Sequence, residues 1–417
     1  MRYIVIPIFS DSTRHPAHGS NSLSLLYVKP IGGESEILTM KHLDALQVDG
    51  FDHLKDKEIL TLDKKSLLHL YPFENVHDIN LLHWWMKNRP LNPDNVRIPA
   101  IDELTNRYYN LANINEIIPM FKHQQWCDEM AVSIEEIWSR RNDADLALYS
   151  AYNDEALEAF HFIERAGIPV SQPFDPRSQR HISDGKLYCN FNLMTTTGRP
   201  SNAFGGVNFA ALDKEKRQYI VSKNDMLVDY DYEACHIRII ADLIDYTLPP
   251  GPAHEHLAQQ YGVGVDEGKG LTFRYLYGGV PKSVAESNPF FNKVNQFTNL
   301  LWDGFTRDQY IETPVYKRRI TKSNLPQVDR NRLFNYLIQA TETEKNIKTI
   351  QELRRYLYKK ETTLILYVYD SFLFDFSNKD GVETMKDIKK ILERDNYYIR
   401  AKAGYNYESL HDITGKL

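Results

Sequence analysis

The pattern of apolar and polar positions divides the chain into a strand-rich N-terminal part, a helical middle and a mixed C-terminal part. Apolar runs bounded by Gly, Pro, Ser and Asn indicate strands, and apolar residues at helical spacing indicate helices. The N-terminal and middle elements predicted in this way are strands at 3–9, 22–28 and 36–40 and helices at 64–71, 78–86 and 101–166. Two prolines in the segment 89–93 break regular structure and predict a boundary near residue 95.

Two later apolar segments each deliver an aspartate to the end of a strand. Residues 226–230 lead into Asp231, and Asp370 lies between two aromatic, β-rich runs, as at the tip of a hairpin. A carboxylate at the end of a buried strand is costly unless it is paired or binds a metal. Two such carboxylates on one sheet could hold two Mg²⁺ ions for in-line phosphoryl chemistry. Two ordinary strand-end aspartates that face water fit the same pattern.

A third segment places a cation and two aromatic rings at intervals of four residues. Lys269, Phe273 and Tyr277 therefore share one face of a predicted helix. On that face Lys269 could neutralise a triphosphate, Phe273 could lie against a sugar, and Tyr277 could support a base pair. An amphipathic core helix whose lysine reaches into water is the alternative.

Composition limits the class of protein. The chain has 417 residues, 42% hydrophobic and 25% charged, which is typical of two or three globular domains. No apolar run approaches the roughly 20 residues that cross a bilayer, and the N-terminus has no signal-peptide pattern. Cys127, Cys189 and Cys235 have no CxxC spacing. We therefore expect a cytoplasmic protein, without a membrane partner, a disulfide framework or a structural zinc site.

Charge is unevenly distributed along the chain. The formal net charge is −6, so the whole molecule does not attract nucleic acid. The segment 312–360 nevertheless carries 12 basic and 5 acidic residues. This segment is either a local phosphate-binding surface or a solvated helix face.

The segments that contain Asp231, the Lys269–Phe273–Tyr277 face and Asp370 occur in this order along the chain. In this order they resemble the three polymerase motifs of family A (polymerase I-like) DNA polymerases. Residues 231–238 resemble the first motif, 269–279 the second and 369–371 the third. Four further segments resemble a Thr-Gly-Arg primer–template loop at 197–199 with Asn208 downstream, a Thr-x-x-Gly-Arg-Arg turn at 310–319, a duplex-contacting helix at 335–341 and a closing strand at 402–407. Together the seven motifs cover about residue 160 to the C-terminus.

The resemblance implies a multidomain fold of the α+β and α/β classes, with a right-hand polymerase. It implies a degenerate, RNase H-like 3′–5′ exonuclease domain at 1–95, a helical connector at 96–166, and an antiparallel palm sheet with helical fingers at 167–417, the fingers spanning about 250–330. Residues 163–170 resemble the segment that precedes the thumb in this family. Only 27 residues, 171–197, separate Val170 from Gly198 of the primer–template loop, too few for a helical thumb. Either the thumb is minimal or the connector replaces it.

The resemblance also implies site residues and partners. Asp231 and Asp370 are the catalytic residues and, with the backbone carbonyl of Tyr232, would bind two Mg²⁺ ions, or Mn²⁺ in their place. The residues implied to bind the nucleotide are Lys269, Phe273, Tyr277, His236 and His254. The residues implied to bind DNA are Arg199, Asn208, Arg318, Arg319, Asn335 and Gln339. Primer–template DNA and dNTPs are the implied partners, with a processivity factor or other replisome proteins besides.

The chain departs from the family pattern at several positions. His236 replaces a glutamate that acts as a steric gate against the ribose 2′-hydroxyl and bonds the second-motif tyrosine. Val265 replaces an arginine, and Ser371 resembles the third motif of single-subunit RNA polymerases. His254 and His256 are equally good candidates for a phosphate-binding histidine. The compact form suggests a phage or other virus, and hence the host cytoplasm.

Acidic ligands for an exonuclease are missing at the expected places. The first strand, 4–10, carries none, and residues 64–66 (Lys-Lys-Ser) stand where a second aspartate belongs, so that only Asp78 remains. The expected function is therefore template-directed DNA synthesis from dNTPs without proofreading. The alternatives are a ribonucleotide-incorporating or primer-synthesising polymerase and a catalytically dead, nucleic-acid-binding accessory subunit.

Overall fold

The computed structural model describes residues 1–11, 14–39, 51–91, 118–173, 178–202, 208–325, 327–394 and 397–417. By packing, the chain divides into two compact units. The first comprises Met1–Met194 with Asn202–Asn208, and the second comprises Thr195–Ser201 with Phe209–Leu417. This division falls later than the expected palm boundary at residue 167. The first part of the helical stretch expected over 101–166 lies outside the described residues.

The first unit is built on a mixed five-stranded sheet. Its strands are β1 (Arg2–Phe9), β2 (Leu23–Pro30), β3 (Glu36–Thr39), β4 (Glu58–Thr61) and β5 (Val76–Asp78). They lie in the order β3-β2-β1-β4-β5; β1 pairs antiparallel with β2 and parallel with β4. The three strands expected at the N-terminus are confirmed. Val5 of β1 and the apolar residues Leu23, Leu26 and Val28 of β2 pack into a core with Phe51, Leu67 and Phe73.

Helices α1 (Lys64–Leu70) and α2 (Ile79–Lys87) begin where the sequence predicts them. Asp63 accepts a hydrogen bond from the Ser66 backbone N–H, and Asp78 accepts one from the Leu81 N–H. An aspartate at this position satisfies an otherwise unpaired amide of the first helical turn. Asp78 is therefore committed to helix capping in the first unit.

Two long helices, α3 (Ile118–Ser139) and α4 (Asp143–Ala166), also belong to the first unit. The Tyr27 hydroxyl of β2 donates to Asp128 of α3 at 2.7 Å. The Tyr149 hydroxyl of α4 donates to the backbone carbonyl of Asp78 at 2.7 Å. These contacts tie both helices to the N-terminal sheet, so the described part of the connector belongs structurally to the first unit.

Short strands follow α4 along the chain. They are β6 (Ile168–Pro169), β7 (Ile182–Ser183), β8 (Lys186–Leu187), β9 (Phe191–Asn192) and, at the junction of the two units, β10 (Ser201–Asn202). Between Val170 and Gly198, residues 171–173 and 178–197 are described, and they contain no α-helix.

A buried ion pair joins α1 to α4 inside the first unit. Lys65 Nζ lies 2.5 Å from Glu164 Oε1, and Glu164 is only 1% exposed. The carboxylate also accepts from the Phe191 backbone N–H at 2.7 Å, and Lys65 Nζ donates to the Phe191 carbonyl at 2.7 Å. Burial by itself raises the pKa of Glu164, but Lys65 and His15 outweigh it and lower the pKa overall. The carboxylate is therefore held in its charged form.

Replacing Lys65 by methionine should destabilise the protein by about 3–5 kcal/mol, because Glu164 would remain buried without its partner. Lys64→Met is the matched control: its partner Asp154, 2.7 Å away, has a side chain 53% exposed that water can solvate. Thermal unfolding should show a much larger loss for Lys65→Met than for Lys64→Met. Partial recovery is expected in the double variant Lys65→Met/Glu164→Gln, and equal losses in both single variants would contradict the argument.

The second unit contains an antiparallel five-stranded sheet in the order β14-β15-β11-β16-β17. The strands of the second unit are β11 (Met226–Tyr232), β12 (Tyr310–Glu312), β13 (Arg319–Thr321), β14 (Thr363–Val368), β15 (Ser371–Phe376), β16 (Ile399–Gly404) and β17 (His411–Asp412). β11 is the central strand and is antiparallel to both β15 and β16. Its apolar residues Leu227, Val228 and Tyr230 are fully buried.

The second unit also contains α-helices before, between and after these strands. They are α5 (Lys214–Arg217), α6 (Cys235–Leu243), α7 (Ala253–Tyr261), α8 (Val265–Gly278), α9 (Lys282–Ser287), α10 (Pro289–Asp308), α11 (Arg330–Tyr356) and α12 (Val382–Leu392). The end of α10, the β12–β13 hairpin and the start of α11 share an apolar core that includes Phe305, Ile320 and Leu337. Among the described residues, no helix combines the length and apolar character that crossing a membrane requires.

Candidate active site

Sheet register brings Asp231 and Asp370 together in the second unit. Strands β14 and β15 form a hairpin in which Val368 pairs with Ser371, so Asp370 lies in its tight turn, as the sequence predicts. Asp231 pairs with Ser371 across β11 and β15. The Tyr232 backbone N–H donates to the Asp370 carbonyl at 3.0 Å, which fixes the turn beside the end of β11.

The electrostatics of this pair favour a bound cation. Burial, followed by the charges of Asp370 and Asp229, raises the pKa of the Asp231 carboxyl to about 7. Burial and then Glu342 raise the pKa of the Asp370 carboxyl. Carboxylates that repel one another in a half-buried site are relieved by a divalent cation. The donor set therefore fits Mg²⁺, which prefers oxygen ligands.

A third carboxylate, Asp229, lies on the same strand, and the sequence reasoning did not include it. The Ser371 hydroxyl donates to Asp229 Oδ1 at 2.6 Å. Burial raises the pKa of Asp229 even though this hydrogen bond opposes the shift. The signal was available in the sequence, because residues two apart on a strand share one face.

The face of α8 carries the predicted cation and aromatic rings. The rings of Phe273 and Tyr277 stack with centroids 5.7 Å apart and an interplanar angle of 7°. Lys269 is exposed, and its Nζ lies 6.0 Å from the Phe273 centroid. The predicted shared face is confirmed, and it ends in an exposed positive charge.

The structure distinguishes between the two candidate histidines. The His254 ring lies on α7 with its centroid 5.7 Å from that of Phe273, beside the α8 face. His256 Nε2 instead lies 2.9 Å from Gln260 Nε2, within α7. Burial lowers the pKa of His254. Of the two, His254 is the one that the fold brings to the aromatic pair.

His236, on the first turn of α6, links the carboxylates to α8. Its Nδ1 is hydrogen-bonded to the Tyr277 hydroxyl, and its Nε2 lies 3.4 Å from Glu342 Oε1. Glu342, on α11, also has its Oε2 3.1 Å from Arg199 Nη2. The Arg199 guanidinium carbon lies 3.5 Å from the centroid of the Tyr369 ring, next to Asp370. One continuous set of contacts therefore connects the hairpin tip to the aromatic face of α8.

The candidate DNA-binding residues fall into different environments. Arg319 is exposed, whereas Arg318 is only 1% exposed and its Nη2 donates to the Thr196 carbonyl at 3.1 Å. Asn335 and Gln339 lie half-buried one turn apart on α11. Asn208 is exposed, in a segment that groups with the first unit.

The first unit contains a second group of side chains of the kinds that bind metal ions. Ligand atoms of His15, His69 and Glu164 lie within 4.8 Å of one another. His15 Nδ1 accepts from the Ala17 backbone N–H at 3.1 Å. A neutral imidazole that accepts at Nδ1 carries its proton on Nε2, the atom that lies 3.6 Å from Glu164. Lys65 already pairs with the other carboxylate oxygen. We interpret this group as part of the buried ion-pair network.

No protein-family model and no curated protein sequence matches the chain. Among solved structures, the chain is similar to the POL domain of Pol1 from M. smegmatis, determined in complex with DNA primer-template and dNTP. The TM-score is 0.71 at 14% sequence identity, and the match covers 98% of this chain and 96% of that chain. The chain therefore has the fold of a polymerase domain.

Proposed function

We propose that the chain is a template-directed DNA polymerase of family A that extends a primer with dNTPs. The observation that carries the proposal is the convergence of Asp231 and Asp370 at the end of β11, joined through His236 to the Lys269–Phe273–Tyr277 face of α8. Acidic ligands on one side and an exposed lysine on the other are what a triphosphate and its metal ions require. The similarity to the polymerase-domain fold supports the same proposal.

Each side chain has a distinct task in this proposal. Asp231 and Asp370 would hold two Mg²⁺ ions, with Mn²⁺ as a substitute, and the Tyr232 carbonyl as a further ligand. Bound Mg²⁺ supplies a lower pKa for the primer 3′-hydroxyl and charge stabilisation for the leaving pyrophosphate. Lys269 and His254 bind the triphosphate as negative charge develops on it. Phe273 packs against the sugar and Tyr277 supports the new base pair.

The primer–template would be held by residues that contact backbone and minor-groove atoms, which vary little with sequence. Arg199, Asn208, Arg319, Asn335 and Gln339 are assigned to this task. Because Arg318 is buried and bonded to the Thr196 carbonyl, we assign it to supporting the Thr-Gly-Arg loop from within. The proposed polymerase has a palm, fingers and a minimal thumb, and it works with a processivity partner.

Primer extension tests this function directly. A labelled primer on a DNA template should grow in the presence of dNTPs and Mg²⁺ and remain unextended when EDTA removes the metal. Extension with rNTPs in preference to dNTPs would instead favour the ribonucleotide polymerase suggested by His236 and Ser371. Template binding without any extension would favour the accessory subunit.

We further propose that the N-terminal domain, residues 1–95 of the first unit, is an exonuclease-like relic. The mixed sheet with flanking helices supports this proposal. The residues at the positions expected for metal ligands support it too, because they make structural contacts instead. Asp78 caps α2 and also accepts from the Lys64 backbone N–H at 2.9 Å, while the Lys64 and Lys65 side chains are paired with acidic residues. One capping carboxylate cannot bind two metal ions.

The relic proposal predicts that the wild-type protein leaves a 3′-mismatched primer intact in Mg²⁺ without nucleotides. Gel analysis over the time of a complete extension reaction should show no shortening of the primer. Degradation that disappears when Asp63 or Asp78 is replaced, while extension persists, would overturn the proposal.

A further inference from the structure

A buried carboxylate without a counterpart in the resembled motifs lies beside the candidate nucleotide site. Glu342, in the middle of α11, is 1% exposed. Its two oxygens face two different partners, Arg199 Nη2 at 3.1 Å and His236 Nε2 at 3.4 Å. Neither contact has the alignment of a full hydrogen bond, and the described residues supply no other hydrogen-bond partner to these oxygens.

Burying a carboxylate in this way is costly unless its partners compensate for the water that it loses. Both partners of Glu342 belong to the candidate site. His236 occupies the steric-gate position of the first motif, and Arg199 covers the ring of Tyr369 beside Asp370. The position of Glu342 is therefore explained by what it does to these two side chains.

The contacts of His236 determine which ring nitrogen carries the proton. A carboxylate can only accept, so the Nε2 that faces Glu342 must be the protonated nitrogen. In the neutral ring Nδ1 is then an acceptor, and it accepts from the Tyr277 hydroxyl. Burial, followed by Glu342, raises the pKa of Tyr277 to about 12, so the phenol keeps the proton that it donates.

We propose that Glu342 is the positioning residue for sugar selection: it fixes the tautomer and the orientation of His236, whose ring edge then excludes a ribose 2′-hydroxyl. The proposal rests on the polymerase function proposed above. In the resembled family one carboxylate on the first-motif helix serves as the gate. Here a histidine takes that place, and the carboxylate stands behind it on α11. In metal and acid–base sites, a carboxylate commonly fixes an imidazole by accepting a hydrogen bond from its other ring nitrogen.

Glu342→Gln is the test variant, because it keeps the shape and removes the charge. Glu344→Gln is the matched control: Glu344 is also buried on α11, but its Oε2 accepts from the backbone N–H groups of Val315 and Tyr316. The readout is the ratio of kcat/KM for rNTP to that for dNTP on one primed template. We expect this ratio to rise about tenfold in Glu342→Gln, because the neutral amide no longer attracts the Nε2–H group of His236, and to stay unchanged in Glu344→Gln.

A double-mutant cycle separates a positioning role from a general structural one. If Glu342 acts through His236, adding Glu342→Gln to His236→Ala should leave the ratio of His236→Ala unchanged. If Glu342 were itself a metal ligand, its loss would lower dNTP and rNTP incorporation by the same factor. Should Glu342→Gln fail to fold, Glu342→Asp should raise the ratio in the same direction because the shorter side chain no longer reaches Nε2.

A measurement on the wild-type protein tests the geometry independently of activity. Nitrogen-15 NMR of histidine-labelled protein, with His236→Gln to assign the signal, should show the Nε2–H tautomer at His236. The Nδ1–H tautomer would overturn the proposal. Primer extension with an unchanged sugar ratio in Glu342→Gln would overturn this inference alone, whereas a wild-type protein that extends no primer overturns the polymerase function and the inference together.

Discussion

Asp231→Ala and Asp370→Ala should each abolish primer extension, with a loss of about a thousandfold or more, while primer–template affinity changes little. The reason is that, in the proposed mechanism, these carboxylates serve the metal ions of the transition state more than they serve the duplex. Extension rates and fluorescence-anisotropy titrations with labelled primer–template measure the two effects separately. Asp412→Ala is the control, because this exposed residue lies at the edge of the same sheet.

Stability provides a second criterion for the same variants. The raised pKa of Asp231 means that its ionised form opposes folding, and the penalty grows as the pH rises from the ordinary value of 3.8 towards about 7. At pH 8 without metal, Asp231→Ala should therefore melt at the same temperature as the wild type or higher. A lower melting temperature, with parallel losses of binding and activity, would show that Asp231 is structural and not catalytic.

Phe273→Tyr should relax discrimination against dideoxynucleotides by about ten- to a hundredfold, with little change in normal synthesis. Phe273 lies between Lys269 and Tyr277 on the exposed face of α8. A phenol hydroxyl there can replace the missing 3′-hydroxyl as a hydrogen-bond partner near the triphosphate, and one bond to a charged group is worth about 1.5–3 kcal/mol. Competition between ddNTPs and dNTPs in extension reactions gives the discrimination factor directly.

Tyr275→Phe is the matched control on the same helix. Tyr275 packs against Tyr261 and Phe291, away from the Phe273 face, so the loss of its hydroxyl should leave discrimination unchanged. His236→Ala should raise ribonucleotide incorporation but not dideoxynucleotide incorporation, since the gate proposed for His236 acts on the other edge of the sugar. If neither Phe273→Tyr nor His236→Ala alters sugar selection, α8 does not face the nucleotide as proposed.

Much of the local structure followed from the sequence alone. The strands of the N-terminal sheet, the start of α1, the hairpin tip at Asp370 and the shared face of Lys269, Phe273 and Tyr277 were all predicted. Each depends on the periodicity of a single element or on a turn between adjacent elements. Strand alternation and the four-residue helical repeat are properties of the backbone, so they can be recognised without knowledge of the tertiary contacts.

Only the tertiary structure decided which distant side chains meet. Glu342 lies about a hundred residues after His236, and no motif marked it, yet the packing of α11 against α6 brings the two side chains together. The same holds for the burial of Arg318 and for the placement of His254 rather than His256 beside Phe273. Sequence spacing determines which residues share a face of one element. Which face meets which depends on how the apolar surfaces of separate elements pack, and that is a property of the whole fold.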